Sequence, residues 1–262
     1  SLSTFGYVSG NSLSVFGAGS DDLISVASGV ATLAGHTIRG GAGDDEIRIG
    51  ANTSSQHSIF GETGNDVVYI DTDFLTETVL DGGVGIDWIA FNLQGTATSV
   101  TYTLNEGVST NFENIMGSIK NDTLTGDSSS NDIRGGAGSD VVSGGGGDDV
   151  LYGGISSSSS GNNLGPPSSE LPTGLSGFQV ANGVGNDTLF GGDGNDILLT
   201  DGGTDFLDGG AGADTISTGV GSDIIILRSG DGGATISEAD LVTDFVDGTD
   251  FFGLSGSLVF SD

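Results

Sequence analysis

The chain has no cysteine, so no disulfide closes any of its loops. Its three prolines, Pro166, Pro167 and Pro172, stand in one stretch. Basic residues are scarce: Arg39, Arg48, Lys120, Arg134 and Arg228 face 36 acidic ones, for a net charge of −31. Binding a phosphate backbone requires Lys and Arg, which excludes ordinary nucleic-acid binding. The longest purely aliphatic run, Ile224–Leu227, is far too short to span a bilayer. The only histidines, His36 and His57, lack the HExxH spacing of a zinc protease and read as surface residues. GLSGS (253–257) fails the GxSxG elbow of a serine hydrolase at its last position. The expectation is a non-enzyme.

Glycine, by contrast, is abundant, at 50 of 262 residues without a collagen period. Such a composition fits disorder unless something periodic orders it. Apolar residues supply that period. Leu124, Ile133, Val142 and Leu151 follow at intervals of nine, as do Leu189, Leu198, Leu207, Ile216 and Ile225. Neither a 3.6-residue helical period nor a period of 2 persists over such a span. Each nine-residue unit reads as a turn plus a short strand, with two units to a coil of eighteen. The central strand residue points inward, and stacked coils bury a continuous apolar ladder. The predicted fold class is all-β: a right-handed parallel β-roll solenoid, in one segment or two stacked ones.

The turns read Gly-Gly-x-Gly-x-Asp, cleanest at 135–152, 191–199 and 209–217. Glycine permits positive φ and close approach of the backbone to a ligand. The sixth-position aspartate adds an anionic oxygen. Carboxylates combined with backbone carbonyls suit Ca²⁺, which takes about 6–8 oxygens. The aspartate ligands predicted by spacing are Asp21, Asp45, Asp66, Asp87, Asp122, Asp140, Asp149, Asp187, Asp196, Asp205, Asp214 and Asp223, with Asn131 as a weaker neutral member. The turn glycines expected beside the ion are Gly43, Gly64, Gly85, Gly136, Gly138, Gly145, Gly147, Gly183, Gly185, Gly192, Gly194, Gly203, Gly210, Gly212 and Gly221. Residues eighteen apart should share an edge: Asp122 with Asp140, Asn131 with Asp149, Asp187 with Asp205, Asp196 with Asp214, and Asp205 with Asp223. Spacing implies about eight to twelve Ca²⁺ ions, whose charge offsets much of the anionic excess. Folding is therefore expected to depend on calcium.

These repeats resemble the RTX, or haemolysin-type calcium-binding, family. The resemblance implies a parallel β-roll with Ca²⁺ in its turns and export by type I secretion from a Gram-negative-type bacterium. Some repeats depart from the pattern: FGAGSDDLI (16–24) and GETGNDVVY (61–69) each lack one glycine, TDGGTDFLD (200–208) has shifted glycines, and TGVGSDIII (218–226) starts with Thr.

Along the chain, 1–91 reads as a degenerate roll in which Asp45, Asp66 and Asp87 recur every twenty-one residues, with Asp21 a candidate start. Residues 92–116 read as a connecting hairpin or wider strands, and 117–154 as a regular roll. The Ser/Pro/Gly-rich stretch 155–181 is a loop insertion, either a passive excursion or a partner-binding loop through Leu171, Leu175 and Phe178. Residues 182–226 resume the roll and 227–262 cap it. In the cap, Asp240, Asp244, Asp247 and Asp250 hold a further Ca²⁺ or form a polar surface, and Phe245, Phe251 and Phe252 form its core. Trp88, at an outward position, packs under a neighbouring segment or serves as a contact residue. Asp71 and Asp73 fall outside the repeat scheme. A start without Met and an apolar strand beginning near Phe260 read as a fragment of a longer polypeptide.

The leading expectation is an extracellular structural protein whose calcium drives cell-surface assembly, as a surface-layer, filament or adhesin component, with copies of itself or other surface components as partners. The alternatives are an accessory roll of a type I secreted enzyme or toxin, and a carbohydrate- or ice-binding roll. The last lacks a regular outward Thr or Asn array, since those positions carry Ser139, Asp148, Asn186, Asn195, Thr204, Ala213 and Ser222.

Overall fold

The computed structural model describes residues 14–17, 19–26, 37–49, 57–70, 79–91, 98–107, 109–154, 185–200, 202–228 and 239–255. These residues form strands and no helix, and the strands pair in parallel. Gly183, Asp71, Asp73, His36 and the 155–181 insertion lie outside the described residues. The described chain divides into two compact units: residues up to Thr98 together with Leu104–Met116, and Ser99–Thr103 together with residues from Gly117 onward.

In the first unit β1 (Ser14–Phe16), β3 (Thr37–Ala42), β5 (Ser58–Thr63) and β7 (Val79–Val84) pair in sequence order in one sheet. A second sheet holds β2 (Leu23–Val26), β4 (Glu46–Ile49), β6 (Val67–Ile70) and β8 (Trp88–Phe91). The described residues of 92–116 supply strands of both units, and among them no hairpin forms. β9 (Thr101–Thr103) belongs to the second unit, whereas β10 (Ser109–Thr110) pairs with β7 and β11 (Asn114–Met116) with β8. Register explains the twelve-and-nine rhythm of the apolar residues. Ile38, Ile59 and Leu80 stack in one sheet, and Ile24, Ile47, Val68, Ile89 and Ile115 in the other.

The second unit repeats the plan with shorter coils. One sheet stacks β9, β12 (Thr123–Thr125), β14 (Val141–Gly146), β16 (Thr188–Asp193), β19 (Phe206–Ala211), β22 (Ile224–Arg228) and β24 (Phe251–Ser255). The other stacks β13 (Asp132–Gly136), β15 (Val150–Gly154), β17 (Ile197–Leu199), β20 (Thr215–Ser217) and β23 (Leu241–Val242). A small pair, β18 (Gly202–Gly203) and β21 (Val220–Gly221), links two turns. The nine-residue ladder becomes two columns. Leu124, Val142, Leu189, Leu207 and Ile225 form one; Ile133, Leu151, Leu198 and Ile216 form the other. All of them are buried. The core is thin, one inward residue per strand, so each residue carries a large share of it. Leu198→Ala should cost about 2–5 kcal/mol, whereas Thr123→Ala, on an outer face, should stay within about 0.5 kcal/mol. Denaturant midpoints of the two variants check this.

The outer faces pin the scarce cations. Arg39 lies 4.3 Å over the Phe60 ring and 2.6 Å from Glu62. Arg134 lies 5.0 Å over Tyr152 and 2.7 Å from Asp132. Arg48 pairs with Glu46 and Arg228 with Asp208. Trp88 is fully buried, which is the packed one of its two expected roles, because β6 and β8 are covered on both faces. Two other expectations change. His57 is 1% exposed, a buried residue and not a surface one. In the cap Phe245 and Phe252 stack at 4.5 Å, but Phe251 is 56% exposed because its position in β24 faces outward.

Candidate metal centres

Each coil of the second unit has two tight turns, and in both the sixth-position side chain folds inward. At the first turn a ladder of backbone-to-carboxylate bonds runs up the stack. Asp122 N–H donates to Oδ1 of Asp140 (2.7 Å), Asp140 to Asp187 (2.7 Å), Asp187 to Asp205 (2.8 Å), Asp205 to Asp223 (2.9 Å) and Asp223 to Asp250 (3.3 Å). At the second turn Asn131 donates to Asp149 (2.8 Å), Asp149 to Asp196 (2.8 Å), Asp196 to Asp214 (2.9 Å) and Asp214 to Asp240 (3.0 Å). Among its described residues the first unit has one such ladder: Asp22 to Asp45 (2.8 Å), Asp45 to Asp66 (2.7 Å), Asp66 to Asp87 (2.6 Å) and Asp87 to Oε2 of Glu113 (2.7 Å).

Every pair expected eighteen apart therefore stands on adjacent coils. Two further steps, Asp140 to Asp187 and Asp149 to Asp196, span 47 residues and cross the insertion. Period counting missed these, along with Asp22, Glu113, Asp240 and Asp250. Asp21 is corrected: Asp22, 3% exposed, holds the ladder position, and Asp21 lies one residue outside it. There Asp21 Oδ1 accepts from Asp44 N–H at 3.2 Å. It belongs to an outer ladder of fifth-position side chains that runs in the opposite sense. In that ladder Asp44 accepts from Asn65 N–H and Asn65 from Ile86; the second unit has the same kind of outer bond at each of its turns, Asp148 accepting from Asn195 and Asn186 from Thr204.

The turn glycines stack as closely as their expected role requires. Gly43, Gly64 and Gly85 form one column; Gly138, Gly185, Gly203 and Gly221 a second; Gly147, Gly194 and Gly212 a third. Gly145, Gly192 and Gly210 stack likewise, and Gly136 rests on the Ser118 carbonyl. In the degenerate repeat Glu62 holds a φ of 81°, where the neighbouring coils have Gly41 and Gly83.

The ladder bonds occupy only one oxygen of each carboxylate. Oδ2 of Asp45, Asp66, Asp87, Asp140, Asp149, Asp196, Asp205 and Asp223 is buried and accepts no hydrogen bond. Burial of an orphaned acceptor is costly, and more so for a charged one. It pushes Asp45 up to about 6, Asp87 and Asp149 to about 7, and Asp66 and Asp140 to about 8; the backbone N–H that each accepts offsets only part of this. Burial also raises Asp122, Asp196, Asp205 and Asp223. The Thr200 and Thr218 hydroxyls partly oppose the rise at Asp205 and Asp223, without forming a well-directed bond to Oδ2.

Over the first glycine of a turn, that oxygen meets a carbonyl of the next coil. A Cβ on Gly40 would lie 2.4 Å from Asp45 Oδ2 and 2.7 Å from Gly61 O; one on Gly144 would lie 2.2 Å from Asp149 Oδ2 and 2.7 Å from Gly191 O. Carboxylate oxygens that accept no hydrogen bond and converge with carbonyl oxygens over a bare Cα suit a hard cation such as Ca²⁺. Among the described residues no three His, Cys, Asp or Glu side chains converge, as expected where carbonyls supply much of the donor set.

Stacked parallel coils with an aspartate at each glycine turn define a calcium-binding β-roll repeat protein. The model of the RTX calcium-binding nonapeptide repeat matches residues 37–51, 110–142, 125–156, 183–207 and 199–233. These stretches are RTX-type calcium-binding repeats and support the RTX-type repeat family. No curated protein matches it.

Proposed function

We propose that the chain is a non-catalytic, extracellular structural protein whose roll is completed by calcium and which assembles at a cell surface when calcium is present. The carrying observation is the set of buried aspartates with an orphaned Oδ2. Asp45, Asp66, Asp87, Asp140, Asp149, Asp187, Asp196, Asp205, Asp214 and Asp223 would hold the ions, with carbonyls of the stacked turn glycines completing the donor set. Bound calcium supplies positive charge between anionic coils and ties each turn to the next. Weak multiple sites of this kind fill at the millimolar calcium found outside cells, and RTX repeats typically occur in secreted proteins. Assembly is supported by apolar side chains that share the outer face of adjacent strands in the second unit: Ile224, 37% exposed, pairs with Phe251, 56% exposed. Such a patch on an otherwise acidic chain suits association once charge is neutralised.

A calcium titration followed together by light scattering and circular dichroism tests this. The expected result is a gain of β signal accompanied by large, EDTA-reversible particles. A gain of β signal by a persistent monomer would overturn the assembly role and favour an accessory module of a secreted enzyme or toxin.

A further inference from the structure

Not every ladder step has an open oxygen. At Asp122, Oδ2 accepts from Ser118 N–H at 2.5 Å, and Oδ1 accepts from Ser118 Oγ (3.0 Å) and from Val100 N–H (2.7 Å). At Asn131 the side-chain oxygen accepts from Asp127 N–H at 2.9 Å. At Asp250, Oδ2 accepts from Val246 N–H at 2.7 Å. In all three the donor is four residues earlier, and in all three the turn begins or ends its ladder of side-chain acceptors.

Strand length accounts for the difference. At the inner turns the residue four before the aspartate lies within a strand: Gly136 in β13, Gly145 in β14, Gly192 in β16 and Gly210 in β19. There the backbone is committed to sheet pairing. β11 stops at Met116 and β12 at Thr125, so the N–H groups of Ser118 and Asp127 are released to the side chain that follows. Asp223 is an inner case of another kind. Its fourth-preceding residue, Gly219, donates instead to Asp244 Oδ2 at 2.8 Å, which leaves Asp223 Oδ2 open. The first turn departs from the repeat in composition too. Lys120 fills the place held by Gly138, Gly185, Gly203 and Gly221 in later coils, and Ser118 the place of Gly136.

We propose that the calcium ladders of the second unit stop short of their ends: the turns at Asp122, Asn131 and Asp250 carry their own hydrogen-bond donors in place of a cation, and calcium enters only the turns between. This rests on the calcium-binding reading and corrects the expectation that Asp122 and Asn131 are ligands. The end turns form without metal, and the inner turns need it. The first turn thus presents a finished edge on which calcium-filled coils can stack.

The test is calcium stoichiometry of the whole chain by equilibrium dialysis and isothermal titration. Asp196→Asn should lower it by about one ion, while Asp122→Asn and Asp250→Asn should leave it unchanged. Ser118→Gly combined with Lys120→Gly converts 117–122 to Gly-Gly-x-Gly-x-Asp, lets the strand run on through residue 118 as β13 runs through Gly136 so that this N–H is withdrawn from Asp122, and should add about one ion. This gain-of-site variant keeps the proposal falsifiable if Asp122→Asn fails to fold. The proposal is overturned if Asp122→Asn or Asp250→Asn loses an ion as Asp196→Asn does, or if the double glycine variant binds no more than the parent. A parent chain that binds no calcium would instead overturn the functional reading itself.

Discussion

In excess EDTA at pH 7 the chain loses most of its β-sheet circular dichroism and expands by about twofold or more in radius of gyration, and calcium restores both. The cause is the set of aspartates at the coil turns. A net charge of −31 sits on coils one strand spacing apart, and the charges nearest one another are buried with one oxygen unsatisfied. Without a cation, the roll keeps these groups inside only if they hold a proton. Their folded pKa values lie above the ordinary carboxylate value of 3.8, at about 6 to 8 for Asp45, Asp66, Asp87, Asp140 and Asp149. A raised acid contributes stability that is fully present below the unfolded pKa and is lost as pH rises through the folded one. Acidifying the EDTA sample to about pH 4 should therefore restore β structure with no metal present. The sequence pI of 4.1 removes net repulsion in the same range. With calcium the sign reverses, because the ion needs ionised carboxylates and its affinity falls as they protonate. Circular dichroism and small-angle scattering at pH 7 and pH 4, with and without EDTA, separate these cases. Unchanged β signal in EDTA at pH 7 would refute the account.

Gly61→Ala should be strongly damaging, costing at least about 3 kcal/mol. An added Cβ would lie 2.1 Å from Gly82 O and 2.3 Å from Asp66 Oδ2. The first atom is backbone on the next coil. The second belongs to a carboxylate anchored at 2.7 Å by Asp45 N–H. Neither can move without parting coils, and the methyl fills the space where the two oxygens converge. Gly19→Ala, with nothing within 4 Å of its Cβ, is the control and should stay within about 0.5 kcal/mol. Calcium binding and denaturant midpoints of the two variants should diverge together. If Gly61→Ala were as mild as Gly19→Ala, tight apposition of the coils would be refuted.

Most of this architecture was legible because one inward residue per nine leaves no other way to bury it. Leu124 to Leu151 and Leu189 to Ile225 mark the two columns by their spacing alone. Failures came where period counting loses phase. Asp21 and Asp22 are adjacent, and only the inward placement of Ile24 beside Ile47 chooses Asp22. Counting by eighteen ended at the insertion, although stacking did not. Asp240 and Asp250 lie beyond the nonapeptides, yet accept from Asp214 and Asp223 because ladder continuity depends on coil height and not on motif. The self-capped end turn did have a sequence signal, Ser118 and Lys120 at glycine positions. The burial of His57 had none, since it stands just before β5 and outside the strand alternation.

β14 pairs with β16, and β15 with β17, in unbroken register although residues 155–184 intervene. Closing a longer loop costs only about 0.6 kcal/mol per doubling, and hydrogen bonds between coils do not depend on what joins them. The roll is thus a rack with a slot. Between Gly154 and Gly185 the chain already carries a passenger of its own, and evolution or a protein engineer can exchange that passenger for an epitope or a recognition peptide while the calcium-bearing shelves on either side stay as they are.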